Sequence, residues 1–100
     1  MISKPHLFPL GIIAVTPGAI EAITGTAIFE MIDRHVRGDW GVVDAEDGYA
    51  NNDAIMNGNR ILSAYPIDPE QPCKGWGDNC IWIITEADRS STTVLLPEEY

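Results

Sequence analysis

Four carboxylates, Asp39, Asp44, Glu46 and Asp47, stand within one short segment, with Trp40 beside the first and no Lys or Arg among them. Carboxylates crowded in this way can hold a cation, share acid–base work or form a negative surface. A calcium loop needs oxygens at alternating positions, a central glycine and a closing glutamate. This segment and the nearby Asp53 lack that order, so no metal and no cofactor is implied. The plainer reading is a helix cap plus a solvated helix face. As a surface, carboxylates at roughly phosphate spacing could occupy a protein groove built for nucleic acid, through the same Coulomb and counterion terms.

A second polar cluster comprises Glu86, Asp88 and Arg89, followed by Ser90, Ser91, Thr92 and Thr93. Turn chemistry explains it most simply, with Asp88 and the hydroxyls bonding backbone and an Arg–carboxylate pair fixing the loop. The sharper reading is a recognition surface at the tip of a rigid hairpin. Of the tryptophans, Trp76 lies between two glycines in a loop and suits an interface anchor. Trp40 can serve in the same way or fold back over a sheet edge, and Trp82 is placed by its strand. A nucleophile–base pair would need Ser or Cys beside His6 or His35, which only folding can arrange. His35 is expected to be a cation at a helix end. The scattered glycines form no nucleotide-binding loop. Cys73 and Cys80 lack partners for zinc; their spacing allows a loop-closing disulfide, and two free thiols of a reducing compartment are the plainer reading.

These residues need a frame. Residues 7–15, LFPLGIIAV, read as a strand that Pro9 and Gly11 push to an edge or a bulge. Thr16 and Pro17 open a first helix, which Gly25 is expected to stop. Thr26 is the expected cap of a second, in which Ile28, Met31, Ile32 and His35 or Val36 form one apolar stripe and Gly38 ends the run. Asp44 caps a third, weakened by Gly48 and two asparagines and closed by Gly58. Strands follow at 60–66, 80–86 and 91–96, the last two joined by the turn ADRS into a hairpin. A proline-punctuated loop spans 66–79. Helices before adjacent strands predict an α+β fold: an antiparallel sheet of three or four strands with two or three short helices packed on one face, and residues 1–100 as a single domain. Ile28, Ile32, Ile81, Ile83 and Leu95 are the expected core.

The charge balance narrows the partners. Fifteen acids against six Lys and Arg give a formal net charge of −9. Direct binding to a phosphate backbone is not expected, because that affinity comes from clustered cations; adhesion to anionic membranes fails for the same reason. No run approaches a membrane span. The N-terminal apolar stretch, interrupted by Pro5 and Pro9, reads as part of the mature protein in a cytoplasmic setting. A cationic protein partner suits the surplus.

The blocks LFPLG, TPGAIEA, RHVRGDWG, NRILSAY and IWIITEADRSSTTVLLPEEY resemble a family of small proteins of bacterial plasmids, integrative elements and phages labelled "plasmid-related protein". The resemblance spans nearly the whole chain and departs at 66–79 and 48–52. It transfers no catalytic residue. It implies a mobile-element context, in which small acidic proteins blunt host restriction or CRISPR systems. The expected function is therefore a non-catalytic binding protein that inhibits a host defence or DNA-processing complex with a basic surface. Its binding residues would be Asp39, Trp40, Asp44, Glu46, Asp47, Trp76, Glu86, Asp88 and Arg89. The alternatives are a small enzyme using Glu86 or Asp88 opposite the acids of the third helix, or a homodimeric accessory of plasmid or phage maintenance.

Overall fold

The computed structural model describes residues 5–100. In chain order the elements are β1 (Ile12–Val15), α1 (Pro17–Ala22), α2 (Gly25–Val36), α3 (Ala45–Asn57), β2 (Ile61–Pro66), β3 (Cys80–Thr85) and β4 (Ser91–Leu95), then a 3-10 turn at Pro97–Glu99. The strands form one sheet in the order β1-β4-β3-β2. The β2–β3 and β3–β4 pairs are antiparallel, whereas β1 lies parallel to β4. The α+β expectation holds; the parallel edge pair is the one departure from an antiparallel sheet. It arises because the chain crosses from β1 through three helices before the hairpins begin, so β1 joins from the far side. Among the described residues no helix is long and apolar enough to cross a membrane.

The register puts Ile61, Ser63 and Tyr65 on the same face as Ile81, Ile83, Thr85, Thr92 and Val94. Every one of these side chains is fully buried. Ala19 of α1 and Ile28, Met31 and Ile32 of α2 pack on them, so the stripe recognised in the sequence is the face that meets the sheet. Burying each large aliphatic side chain contributes about 2 kcal/mol before entropy. The helix starts differ from expectation at one point. Thr24, not Thr26, caps α2, its hydroxyl accepting from the Ala27 N–H at 3.2 Å, and Gly25 is the first helical residue rather than a stop. The extended Ile23 separates the two helices instead. Thr16 caps α1, Asp44 caps α3 and Gly58 closes α3 in the left-handed conformation.

His35 is fully buried and is not the expected cation. Burial pushes its pKa down to about 3, so the ring is neutral. The hydrogen bonds then fix its tautomer. The Leu10 carbonyl can only accept, so Thr92 donates to it (2.7 Å), Thr85 donates to Thr92 (2.7 Å) and His35 Nε2–H donates to Thr85 (2.9 Å). Nδ1 is left to accept from the Ser63 hydroxyl at 2.5 Å. The result is a one-directional chain of four hydrogen bonds crossing α2, three strands and the N-terminal segment, with every polar atom satisfied.

The outer edge of β2 is sealed. Gly41 bridges to Ala64, the Ala64 N–H donating to Trp40 O (3.1 Å) and the Val42 N–H to Ala64 O (2.7 Å). One position along, Asn51 of α3 donates to Leu62 O (2.7 Å) and accepts from Leu62 N–H (3.1 Å), so its amide acts as a further piece of strand. The close approach requires glycine at 41: its φ is +75°, and a Cβ there would sit 1.9 Å from Ala64 O.

Candidate binding groove

The segment that seals β2, the first turn of α3 and the 66–79 loop enclose a groove of about 470 Å³. Val42, Val43, Leu62 and Trp82 contribute apolar surface, Asp44 and Asp47 carboxylates, and Lys74, Gly75 and Trp76 the loop side. Asp44 is held by its capping role, its carboxylate accepting from the Asp47 N–H at 2.8 Å. Glu46 and Asp47 follow in the first helical turn, where carboxylates complement the dipole.

The loop side is preorganised. Asn79, at φ +54°, gathers the loop by donating to the carbonyls of Asp68, Gln71 and Pro72 while accepting from the Asp68 N–H. Trp82 Nε1–H donates to Gly75 O at 2.7 Å and so ties the loop to the sheet. Gly75, at φ +93°, brings the chain to within 3.0 Å (for an added Cβ) of Val42 O, a backbone shape that L side chains rarely adopt. Trp76 is left 60% exposed, with the Lys74 ammonium 4.9 Å from its ring centroid. An exposed indole on a pinned loop loses little freedom on binding, which is what an anchor requires.

The other residues singled out in the sequence sit elsewhere. Asp39 pairs with Arg34 (2.7 Å to Nε) and accepts from the Gly41 N–H at 3.1 Å. Arg34 in turn lies over the Tyr65 ring, whose hydroxyl donates to Asp39 O and whose pKa burial raises. Trp40 is buried, 8% exposed, among Phe8, Val36, Ala54 and Ile61, with Nε1–H donating to Asn52 at 3.0 Å. Glu86, Asp88 and Arg89 lie at the β3–β4 turn. Arg89 donates to the carbonyls of Ala54 (2.9 Å), Asn59 (2.7 Å) and Glu86 (3.1 Å), which staples the hairpin to the negative end of α3. Asp88 accepts from the Ser90 N–H, and its hydrogen bonds to Ser90 lower its pKa. The groove therefore brings together Asp44, Asp47 and Trp76, and adds Lys74, Leu62 and Trp82, which the sequence reading did not single out as site residues. A signal for Lys74 was present: it is the single cation between Arg60 and Arg89, two residues from Trp76.

Two constellations could suggest chemistry. Ser63 and His35 stand in nucleophile–base contact, but both are fully buried, the third partner is a threonine, and a pKa of about 3 makes the ring a poor base. Cys73 and Cys80 are free thiols. Burial, with the neighbouring Cys73 adding to it, raises the Cys80 pKa to about 12, so Cys80 is inert as a nucleophile. Among the described residues no group of His, Cys, Asp and Glu is placed to hold a metal ion. Comparison with protein-family models, curated proteins and solved structures finds no match.

Proposed function

We propose that this chain is a non-catalytic acidic binding protein whose working surface is the groove between the start of α3 and the 66–79 loop. The observation that carries the reading is the pairing of an exposed, pinned Trp76 with the Asp44 and Asp47 carboxylates around one apolar floor. A partner that fits offers a cationic surface with an apolar or planar group beside it. Arginine-rich grooves that hold nucleic acid meet that description, because guanidinium groups both pair with carboxylates and stack on indoles. A complex of the defence or DNA-processing kind, which the plasmid-related resemblance implies, is the partner class. The acids on α3 act in it as stand-ins for phosphates.

Catalysis is less well supported by this geometry. The enzyme alternative, drawn with the acids at the start of α3 (Asp44, Glu46 and Asp47), needs them to face Glu86 or Asp88. Asp44 caps the first end of α3, whereas Arg89 anchors the hairpin turn to the last, and thirteen helical residues rise about 20 Å.

The test is affinity capture with the tagged chain from a lysate carrying CRISPR and restriction systems, with and without added double-stranded DNA. A defence-complex subunit captured alone and displaced by DNA supports the mimic. Capture indifferent to DNA keeps the binder and removes the mimicry, and recovery of the bait alone contradicts the binding reading.

A further inference from the structure

The two edges of the sheet are finished differently. On β2 the outward main-chain groups of Leu62 and Ala64 are bonded to Asn51 and to the Trp40–Val42 segment. On β1 the Ile12 and Thr16 N–H groups donate inward, to Ser90 O and Val94 O at 3.0 Å each. Main-chain direction alternates along a strand, so Ile13 and Val15 turn their N–H and C=O groups outward. β1 is short, at four residues, but within Ile12–Val15 there is no charge, no proline and no break in register, three of the devices that ordinarily protect an edge. Ile12 is 76% and Ile13 46% exposed.

We infer that β1 is a self-association edge, pairing antiparallel with β1 of a second copy about a two-fold axis at Ala14. In that register Ile13 of each copy faces Val15 of the other. Each such pair exchanges two hydrogen bonds, four in all, and the two Ala14 residues meet at the non-hydrogen-bonded position, where side chains come closest. The exchange is self-complementary, as a two-fold interface demands.

Charge selects a second copy as the occupant. Leu7 to Ile20 contains no charged side chain, the longest such stretch in a chain of net charge −9. Glu99, which reaches the end of β1, is engaged by the Thr16 hydroxyl (2.6 Å) and the Gly18 N–H (3.2 Å), and these bonds lower its pKa. The acidic α3 lies at the opposite edge of the sheet, against β2. Joining two β1 strands gives eight strands, so the two β2 edges stand seven spacings of about 4.8 Å apart, roughly 34 Å. That distance is several times the Debye length of about 8 Å at physiological salt. The acidic surfaces of the two copies therefore do not oppose association, and the dimer presents two grooves at its outer ends.

Sedimentation equilibrium of the full chain over a wide concentration range tests the inference. The expected mass rises from 11.0 kDa towards twice that value. Ile13→Pro removes one outward donor, and Ala14→Glu sets two carboxylates face to face from an exposed position that needs no repacking. Both variants are expected to stay monomeric with an unchanged circular dichroism spectrum; if the proline variant unfolds, Ala14→Glu carries the test alone. An Ala14→Cys variant is expected to form a reducible covalent dimer under mild oxidation. A wild-type mass of 11.0 kDa at every concentration overturns the inference, as does a dimer that survives Ala14→Glu.

Discussion

Acidification strikes this fold at one imidazole. His35 has a folded pKa of about 3, against about 6.5 in an unfolded chain. The unfolded state therefore takes up the proton first, and the stability that this imidazole contributes is complete above pH 6.5, is lost as the pH drops through 6.5 and levels off below about 3. At pH 5 the loss is about 2 kcal/mol, set almost entirely by the unfolded value because the folded ring is still neutral there. That figure holds so long as the folded pKa lies below about 4. Most carboxylates remain ionised at pH 5, which isolates the imidazole contribution from the acid limb below it. The assay is urea unfolding at pH 7.5 and pH 5 in a His6→Ala background, so that one imidazole remains. The midpoint is expected to fall by roughly 1–2 M. In the same range the His35 ring carbon-bound protons should show no titration by NMR. A midpoint indifferent to pH, or a ring that titrates near 6.5, refutes the buried neutral network and the tautomer deduced from it.

Two further expectations concern α3 and the thiols. Gly48→Ala should stabilise the chain by up to about 1 kcal/mol, because the residue is helical and an added Cβ meets Trp40 at an ordinary 3.9 Å, whereas Asn51→Ala should destabilise it by about 1–3 kcal/mol by stranding both main-chain groups of Leu62; paired denaturation curves read both. Native thiol labelling should modify Cys73 and spare Cys80, with both reacting in denaturant, and rapid native labelling of Cys80 would contradict its burial and its pKa of about 12.

Features carried by local pattern were readable in the chain. The three-and-four spacing of Ile28, Met31, Ile32 and Val36 located the buried face of α2, and the β-branched run of Cys80–Thr85 located the central strand. The roles of Asn51 and Asn52 are not legible in local pattern. Both residues weaken a helix intrinsically, yet one covers the edge of β2 and the other receives the Trp40 indole, partners eleven and twelve residues away. His35 is a similar case: its place in the last turn of α2 suggested a dipole-paired cation, while the hydroxyls that satisfy it lie 28 and 50 residues on. At the groove, Asp44 was readable from capping chemistry and Trp76 from its flanking glycines. The wall that unites them depends on Asn79 and Trp82 tying down a loop whose composition carries no periodic signal.

The groove is the central claim, and changing its charge and anchor without touching the fold tests it most directly. Asp44→Asn keeps the helix cap while removing charge, Glu46→Gln and Asp47→Asn neutralise two exposed acids without setting cations against the dipole, and Trp76→Ala removes the indole. Titrated against the complex recovered by affinity capture, the combined variant should lose binding at least a hundredfold while its unfolding midpoint stays near that of the parent, an expectation of about 3 kcal/mol in binding alone. Undiminished affinity in a folded variant would contradict the account and move the working surface elsewhere on the molecule.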